Sequence, residues 1–133
     1  MSLYSRYYYR GAATERRFIQ LLRSRGFFAV RAPRSGKGYG VDIIAVKNGR
    51  AYLFEVKKRR DFTTIQIPRE QYDYVKNVEE TAKAPYLLTL YVASRRTWYV
   101  RPITQPDSIA DVTVSYKPNE KWIEINKFFD NIT

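Results

Sequence analysis

Two apolar runs joined by a tight turn form the clearest structural signal in this sequence. Residues 41–58 read VDIIAVKNGRAYLFEVKK, and Asn48-Gly49 separates the runs. Asn-Gly between two apolar segments of strand length is the strongest short-range signal for a β-hairpin. The stretch therefore predicts two antiparallel strands.

Ionisable residues interrupt the apolar pattern of this hairpin. Side chains alternate between the faces of a strand, so Glu55 and Lys57 share one face. Asp42 reaches that face if the strands pair in register. Glu-x-Lys on a strand is commonly a solvated edge with a weak ion pair. The apolar neighbours argue against an exposed edge, because buried charges persist only when they are paired or bind a metal.

Composition limits the chemistry that such a patch performs. The chain has 133 residues, enough for one domain with a substantial core, and contains neither cysteine nor histidine. Disulfides, thiolate nucleophiles, imidazole bases and the usual zinc sites are therefore excluded. Any metal must be held by oxygen ligands, which favours Mg²⁺, with Mn²⁺ as the alternative.

The charge distribution indicates a polyanionic partner. The formal net charge is +11, and residues 1–40 hold nine Lys or Arg against one acid, Glu15. Nucleic acid is the favoured partner, and an anionic membrane surface is the competing one. No lipid-facing amphipathic helix, signal-peptide core or apolar segment of about 20 residues is evident. We expect a soluble, intracellular protein of the cytoplasm or nucleoid, without a membrane partner.

The N-terminal third is expected to contain an arm, a helix and a loop. Residues 1–11 lack a helical period and predict a basic, aromatic arm, which either stacks on nucleic acid or packs on the fold or on a partner subunit. Residues 14–25 predict a helix with Thr14 as N-cap and Gly26 as its stop. Glu15 lies on its inward face, although a first-turn Glu is also favoured by the helix dipole. After a strand at 27–32, residues 33–40 predict a glycine-rich basic loop.

The remaining pattern predicts an α/β fold, a mixed central β-sheet flanked by helices, within one domain spanning residues 1–133. A helix is expected at 68–83, with strands at 86–93 and 98–103. After Pro106 the pattern weakens, and residues 121–132 suggest a terminal helix.

Several of these segments resemble a known family. Glu15, Val41-Asp42 and Glu55-Val56-Lys57 resemble the (P)D-(D/E)xK nuclease superfamily. Over residues 10–90 the chain is similar to the archaeal Holliday-junction resolvases, through the segments RGAATERRFIQLLRSRGF, VRAPRSGKG, VDIIAVKNG, FEVKKR and IPREQ. The resemblance implies a restriction-endonuclease-like fold. Val41 stands where proline is common in the superfamily.

The resemblance also implies roles for individual residues. It makes Glu15, Asp42 and Glu55 the metal-binding carboxylates and Lys57 the catalytic lysine. Ser35 matches a loop serine needed for cleavage, and Gln71 resembles a glutamine near the site. Arg10 matches basic residues that meet DNA. The other expected DNA contacts are Arg31, Arg34, Lys37, Lys58, Arg59 and Arg60.

The implied activity is Mg²⁺-dependent phosphodiester hydrolysis that resolves four-way DNA junctions. Two opposed strands must be cut, so a two-fold homodimer matches the symmetry of the substrate. Lys57 either orients or deprotonates the attacking water, or stabilises the transition state; the sequence leaves both roles open. The alternatives are another nuclease of the superfamily, of repair or restriction type, and a non-catalytic basic nucleic-acid-binding protein with a structural acidic patch.

Overall fold

A computed structural model describes residues 3–32 and 40–132, with side chains from residue 11 onward. In chain order the elements are α1 (Leu3–Ser24), β1 (Phe28–Arg31), β2 (Ile43–Lys47), β3 (Arg50–Arg59), β4 (Ile65–Pro68), α2 (Arg69–Ala82), β5 (Tyr86–Val92), a 3₁₀ turn (Ala93–Arg95), β6 (Thr97–Pro102), β7 (Ser108–Ile109), β8 (Thr113–Tyr116), β9 (Ile123–Glu124) and α3 (Ile125–Ile132).

A six-stranded mixed sheet organises these elements. Its strand order is β1-β2-β3-β5-β6-β9, in which β3 and β5 are parallel and the other neighbours are antiparallel. The crossover from β3 to β5 contains α2, as parallel strands require. A small antiparallel sheet has the order β4-β8-β7. The predicted mixed α/β architecture is confirmed.

The predicted hairpin is present, with shifted strand ends. Ile43 pairs with Phe54 and Lys47 with Arg50, so β2 and β3 meet directly across the turn. Asn48 and Gly49 both adopt positive φ, 53° and 77°, which is the conformation that a type I′ turn requires. The second strand extends from Arg50 to Arg59.

The prediction of a non-helical arm at residues 1–11 is wrong for the part that the structure describes. α1 begins at Leu3, so Thr14 lies inside the helix and is not its N-cap. The segment contains no proline, and a single interior glycine costs a helix only about 1 kcal/mol. The predicted stop is confirmed, because the helix ends at Ser24 and Gly26 has a φ of 86°.

Each face of the main sheet covers a separate core. On one face α1 and α3 pack against Ile43 and Phe54. On the other, α2 and the small sheet pack against Leu53 and Leu88. Because side chains alternate along β3, Glu55 and Lys57 lie on the same face as Leu53. The ionisable patch therefore adjoins the second core.

Several short elements after β3 were not predicted from the sequence pattern. Residues 65–68 form strand β4, residues 108–116 form the β7-β8 hairpin, and α3 begins only at Ile125 because Ile123–Glu124 is a strand. In the described part of the chain, no helix is both long and apolar enough to cross a lipid bilayer.

A buried arginine joins the two sheets. The Arg101 side chain on β6 is fully buried, and its Nη1 donates to Asp107 Oδ2 at 3.0 Å. The guanidinium also lies 5.1 Å from the centre of the Tyr116 ring and 5.5 Å from that of Trp122. A cation at this depth requires such partners.

Candidate active site

Asp42 and Glu55 face each other at the start of the hairpin. The pairing of Ile43 with Phe54 places Asp42 opposite Glu55, on the same face of the sheet. The Asp42 backbone N–H donates to the Phe54 carbonyl at 3.2 Å. Asp42 Oδ2 accepts a hydrogen bond of 2.9 Å from the Val56 N–H. These bonds to both neighbours of Glu55 fix the two residues side by side.

Both carboxylates are buried, and each has a polar partner. Asp42 accepts from the Val56 N–H, and Glu55 lies near the Lys57 ammonium group. Asp42 is 2% exposed and Glu55 is 7% exposed. Lys57 Nζ lies 3.9 Å from Glu55 Oε1, and the lysine side chain is 23% exposed. The convergence of two carboxylates and a lysine that the alternation predicts is therefore observed. The solvated-edge interpretation is wrong, because Glu55 lies in the interior of a central strand.

Glu15 lies on α1, beside the edge strand β1. It is buried, and its Oε2 accepts a hydrogen bond from Arg31 Nε. Arg31, expected to contact DNA, is thus bound to a carboxylate of its own chain, with a side chain 34% exposed. The inward direction predicted for Glu15 is confirmed. Its contact with Arg31 was not predicted, although the helix and the strand both place these residues near the sheet edge.

The donor set suits a hard cation of the size of Mg²⁺. Across residues 3–32 and 40–132, no three Asp, Glu, His or Cys residues form a group that could hold a metal ion. Asp42 and Glu55 are therefore considered as a metal site of two carboxylates. Mg²⁺ is commonly held by one or two carboxylates, with water and substrate phosphate completing its shell. Two neighbouring carboxylates without nitrogen or sulfur donors therefore fit such an ion.

Of the other two expected catalytic residues, the structure describes Gln71 but not Ser35. Gln71 is buried near the start of α2, next to Tyr72, which packs in the second core. It therefore approaches the face of the sheet that carries Glu55. Ser35, Arg34 and Lys37 lie outside the described residues. Arg10 lies in α1, but its side chain is also outside the described part.

The expected basic residues of the hairpin cluster at the end of β3. Lys58, Arg59 and Arg60 are exposed. Arg60 forms a solvent-exposed ion pair with Asp61, in which Nε and Oδ2 are 3.8 Å apart. An open cavity of about 680 Å³ separates this strand end from α1. Its charged lining residues are Arg17, Lys57, Lys58, Arg59 and Arg60. Sequence reasoning missed Arg17, which follows Thr14 at the three-residue spacing of one helix face.

Comparison with known proteins now places the chain in a family. A family model described as archaeal Holliday junction resolvase (Hjc) matches residues 6–133. The chain belongs to this family. The family resemblance of the sequence motifs is thereby confirmed, and Hjc relatives provide the natural comparison for the site.

Two curated relatives and one solved structure are similar to the chain. The crossover junction endodeoxyribonuclease Hjc of Sulfurisphaera tokodaii is 42% identical over 77 residues, 56% of this chain and 51% of that protein. The protein of the same name from Sulfolobus acidocaldarius is 33% identical over 87 residues, 63% of this chain and 61% of that protein. The chain thus matches about half to three fifths of these relatives' lengths.

The solved structure is that of Archaeoglobus fulgidus Hjc, described as a Holliday junction resolvase. It superposes with a TM-score of 0.77 at 19% identity, covering 90% of this chain and 99% of that one. This similarity shows that the two chains share a fold.

Proposed function

We propose that this protein is an endonuclease that resolves four-way DNA junctions formed in recombination and repair. The observation that carries the proposal is the placement of Asp42 opposite Glu55, with Lys57 on the same face. Membership of the archaeal Holliday junction resolvase family supports the choice of substrate. Since the proposed substrate is DNA, we also propose that the protein acts inside the cell.

Asp42 and Glu55 are the residues that would hold the metal ion, which we propose to be Mg²⁺, with Mn²⁺ as a substitute. When bound, such an ion activates a water molecule and neutralises charge on the phosphate. Glu15 is proposed as a third carboxylate that acts with this pair, although the described residues do not group it with them. Its hydrogen bond with Arg31 supports a further task, the fixing of a cation on the edge strand of the sheet.

Lys57 is the proposed catalytic lysine. Its ammonium group is near Glu55 and remains partly open to solvent, so it is accessible to a phosphate oxygen or to a water molecule. It acts either by orienting or deprotonating the nucleophilic water, or by stabilising the transition state. Ser35 and Gln71 are proposed to position the phosphate from the loop and from α2.

DNA binding is proposed to rest on cations that surround the site. The strand-end residues Lys58, Arg59 and Arg60 are exposed beside Lys57, and Arg10, Arg34 and Lys37 complete the proposed contacts. Phosphate contacts of this kind supply most of the affinity for DNA without reading its sequence. Two nicks on opposed strands require two active sites, so we propose a homodimer.

The decisive experiment compares cutting of a synthetic four-way junction with cutting of a matched linear duplex, with Mg²⁺ and with chelator. Asp42→Asn and Glu55→Gln remove one charge each at nearly constant volume. Each should reduce junction nicking at least about a hundredfold, the scale of losing a catalytic group. Glu80→Gln is the matched control, because Glu80 is an exposed carboxylate on α2.

Each alternative function predicts a different result in this assay. Equal cutting of junction and duplex would indicate another type of nuclease. Binding of the junction without any metal-dependent nicking by the unmodified protein would indicate a non-catalytic DNA-binding protein. Full nicking by Asp42→Asn and Glu55→Gln would show that the carboxylates are structural, and the proposed site would be wrong.

A further inference from the structure

The cavity between α1 and the end of β3 carries an unusual charge distribution. Five of its lining residues are cationic, and none of the described residues that line it is acidic. Lys57, Lys58 and Arg59 are consecutive on β3, Arg60 follows directly after the strand, and Arg17 faces them from α1. Cations brought together at close range repel one another unless an anion lies between them.

Small side chains on α1 keep the cavity open. Gly11 and Ala13 lie along its helical wall, where longer side chains would fill the space. A Cβ built on Gly11 would meet no atom within 4 Å. Val56 and Ala93 contribute apolar surface to the lining. The cavity therefore combines an open entrance with a cationic wall.

The far rim of the cavity is braced by the turn after β5. The Ser94 N–H donates to the Arg60 carbonyl at 2.8 Å, which fixes the end of β3 against this turn. The Arg95 guanidinium lies 5.0 Å from the centre of the Phe62 ring and 3.3 Å from the Tyr99 hydroxyl. The rings of Phe62 and Tyr99 stack at 4.7 Å. These contacts hold the turn after β5 in place, and Ala93 of this turn lines the cavity.

We propose that the cavity binds the phosphodiester backbone of the DNA strand next to the phosphate that is cut. Arg17 is the principal contact, opposite the cations at the end of β3. The proposal rests on the proposed nuclease function and adds a route for the strand. Lys57 belongs both to the catalytic patch and to the cavity lining, so the cavity adjoins the proposed site of cleavage.

The size of the cavity favours a strand segment over a single small anion. Its volume of about 680 Å³ falls within the roughly 300–1,000 Å³ of sites that hold whole ligand molecules. A lone phosphate ion would engage only part of this lining.

The test measures affinity for a synthetic four-way junction by fluorescence anisotropy, in chelator, over a series of salt concentrations. Arg17→Gln should weaken binding about tenfold and reduce the slope of log K against log salt by about one, as for one lost phosphate contact. Arg50→Gln is the matched control, because Arg50 is exposed at the opposite end of the same strand. Its affinity should stay within about twofold of the unmodified protein.

Further variants separate the charge of Arg17 from the folding of α1. Arg17→Lys keeps the charge and should recover most of the affinity. Lys58→Gln alters an exposed strand-end residue and should reproduce the loss, which keeps the test decisive if Arg17→Gln melts early. Inorganic phosphate should displace the junction no better than chloride of equal ionic strength. Stronger displacement by phosphate would reveal a small-anion site and overturn the proposal.

Failure of the inference is distinguishable from failure of the proposed function. If the unmodified protein binds and nicks the junction while Arg17→Gln and Lys58→Gln bind as tightly as Arg50→Gln, the cavity is not on the path of the strand. If the unmodified protein neither binds nor nicks the junction, the nuclease function itself is wrong.

Discussion

Asp42 combines a structural hydrogen bond with its proposed role in metal binding. Its Oδ2 accepts from the Val56 N–H, next to Glu55 on the hairpin. Asp42→Asn preserves an oxygen acceptor and removes a charge close to another carboxylate, so the free energy of unfolding should hold or rise. Asp42→Ala leaves the Val56 N–H without this acceptor and should lose about 1–2 kcal/mol. Urea unfolding in chelator measures both values.

Asp107, which contacts the buried Arg101, makes the stability of the fold depend on pH. Burial by itself would raise the pKa of Asp107, but hydrogen bonds from the Lys117 N–H, Asn119, Lys121 and Arg101 outweigh it and hold the pKa well below its ordinary range. A carboxyl group with a depressed pKa stabilises the fold above its unfolded pKa, about 3.9, and loses this contribution as pH falls toward the folded value. Stability should therefore decline below about pH 4.

The matched variant for this pH effect is Asp107→Asn. It leaves the fully buried Arg101 guanidinium without its carboxylate partner, so at neutral pH it should lose about 3 kcal/mol, the scale of breaking a buried ion pair. The dependence of its unfolding free energy on pH below 4 should also be shallower than in the unmodified protein. Parallel acid profiles that differ only by a constant offset would contradict the assignment to Asp107.

At the scale of elements, the length of α1 has a direct test. Gly11 lies inside the helix, and an added Cβ would meet no atom within 4 Å. Gly11→Ala should therefore stabilise the protein by about 0.5–1 kcal/mol, because glycine is the poorer helix former. Thermal melting measures the gain. A non-helical arm up to residue 11 would leave the melting temperature almost unchanged.

Element types could be predicted from the sequence more reliably than element ends. The hairpin, the strand Tyr86–Val92 and the helix Arg69–Ala82 follow directly from alternation, Asn48-Gly49 and the proline before α2. The start of α1 could not be predicted, because residues 1–11 show no helical period of apolar residues and that period was the only signal used. The tiny strands β7 and β9 are formed by tertiary pairing that two-residue segments do not encode.

In the whole molecule, only the part of the site that lies on the β2-β3 hairpin could be predicted from the sequence. Alternation and turn type fix the relation of Asp42, Glu55 and Lys57 within a single local unit. The Glu15–Arg31 pair and the cavity beside Arg17 depend on how α1 packs across the sheet. Periodicity identifies the inward face of a helix but not its position along a sheet, so these features required the structure.

Binding and cutting should be separable in the whole molecule, because the two tasks use charges of opposite sign. A net charge of +11 predicts tight, metal-independent junction binding that falls at least about a thousandfold between roughly 50 and 200 mM salt, as for six or more phosphate contacts. Glu55→Gln should bind as tightly or more tightly with the same salt slope, since it removes a negative charge that repels phosphate. Its nicking should nevertheless collapse. Anisotropy titrations in chelator, run beside Mg²⁺-dependent nicking, give both quantities; a flat affinity across this salt range would contradict an electrostatic DNA surface.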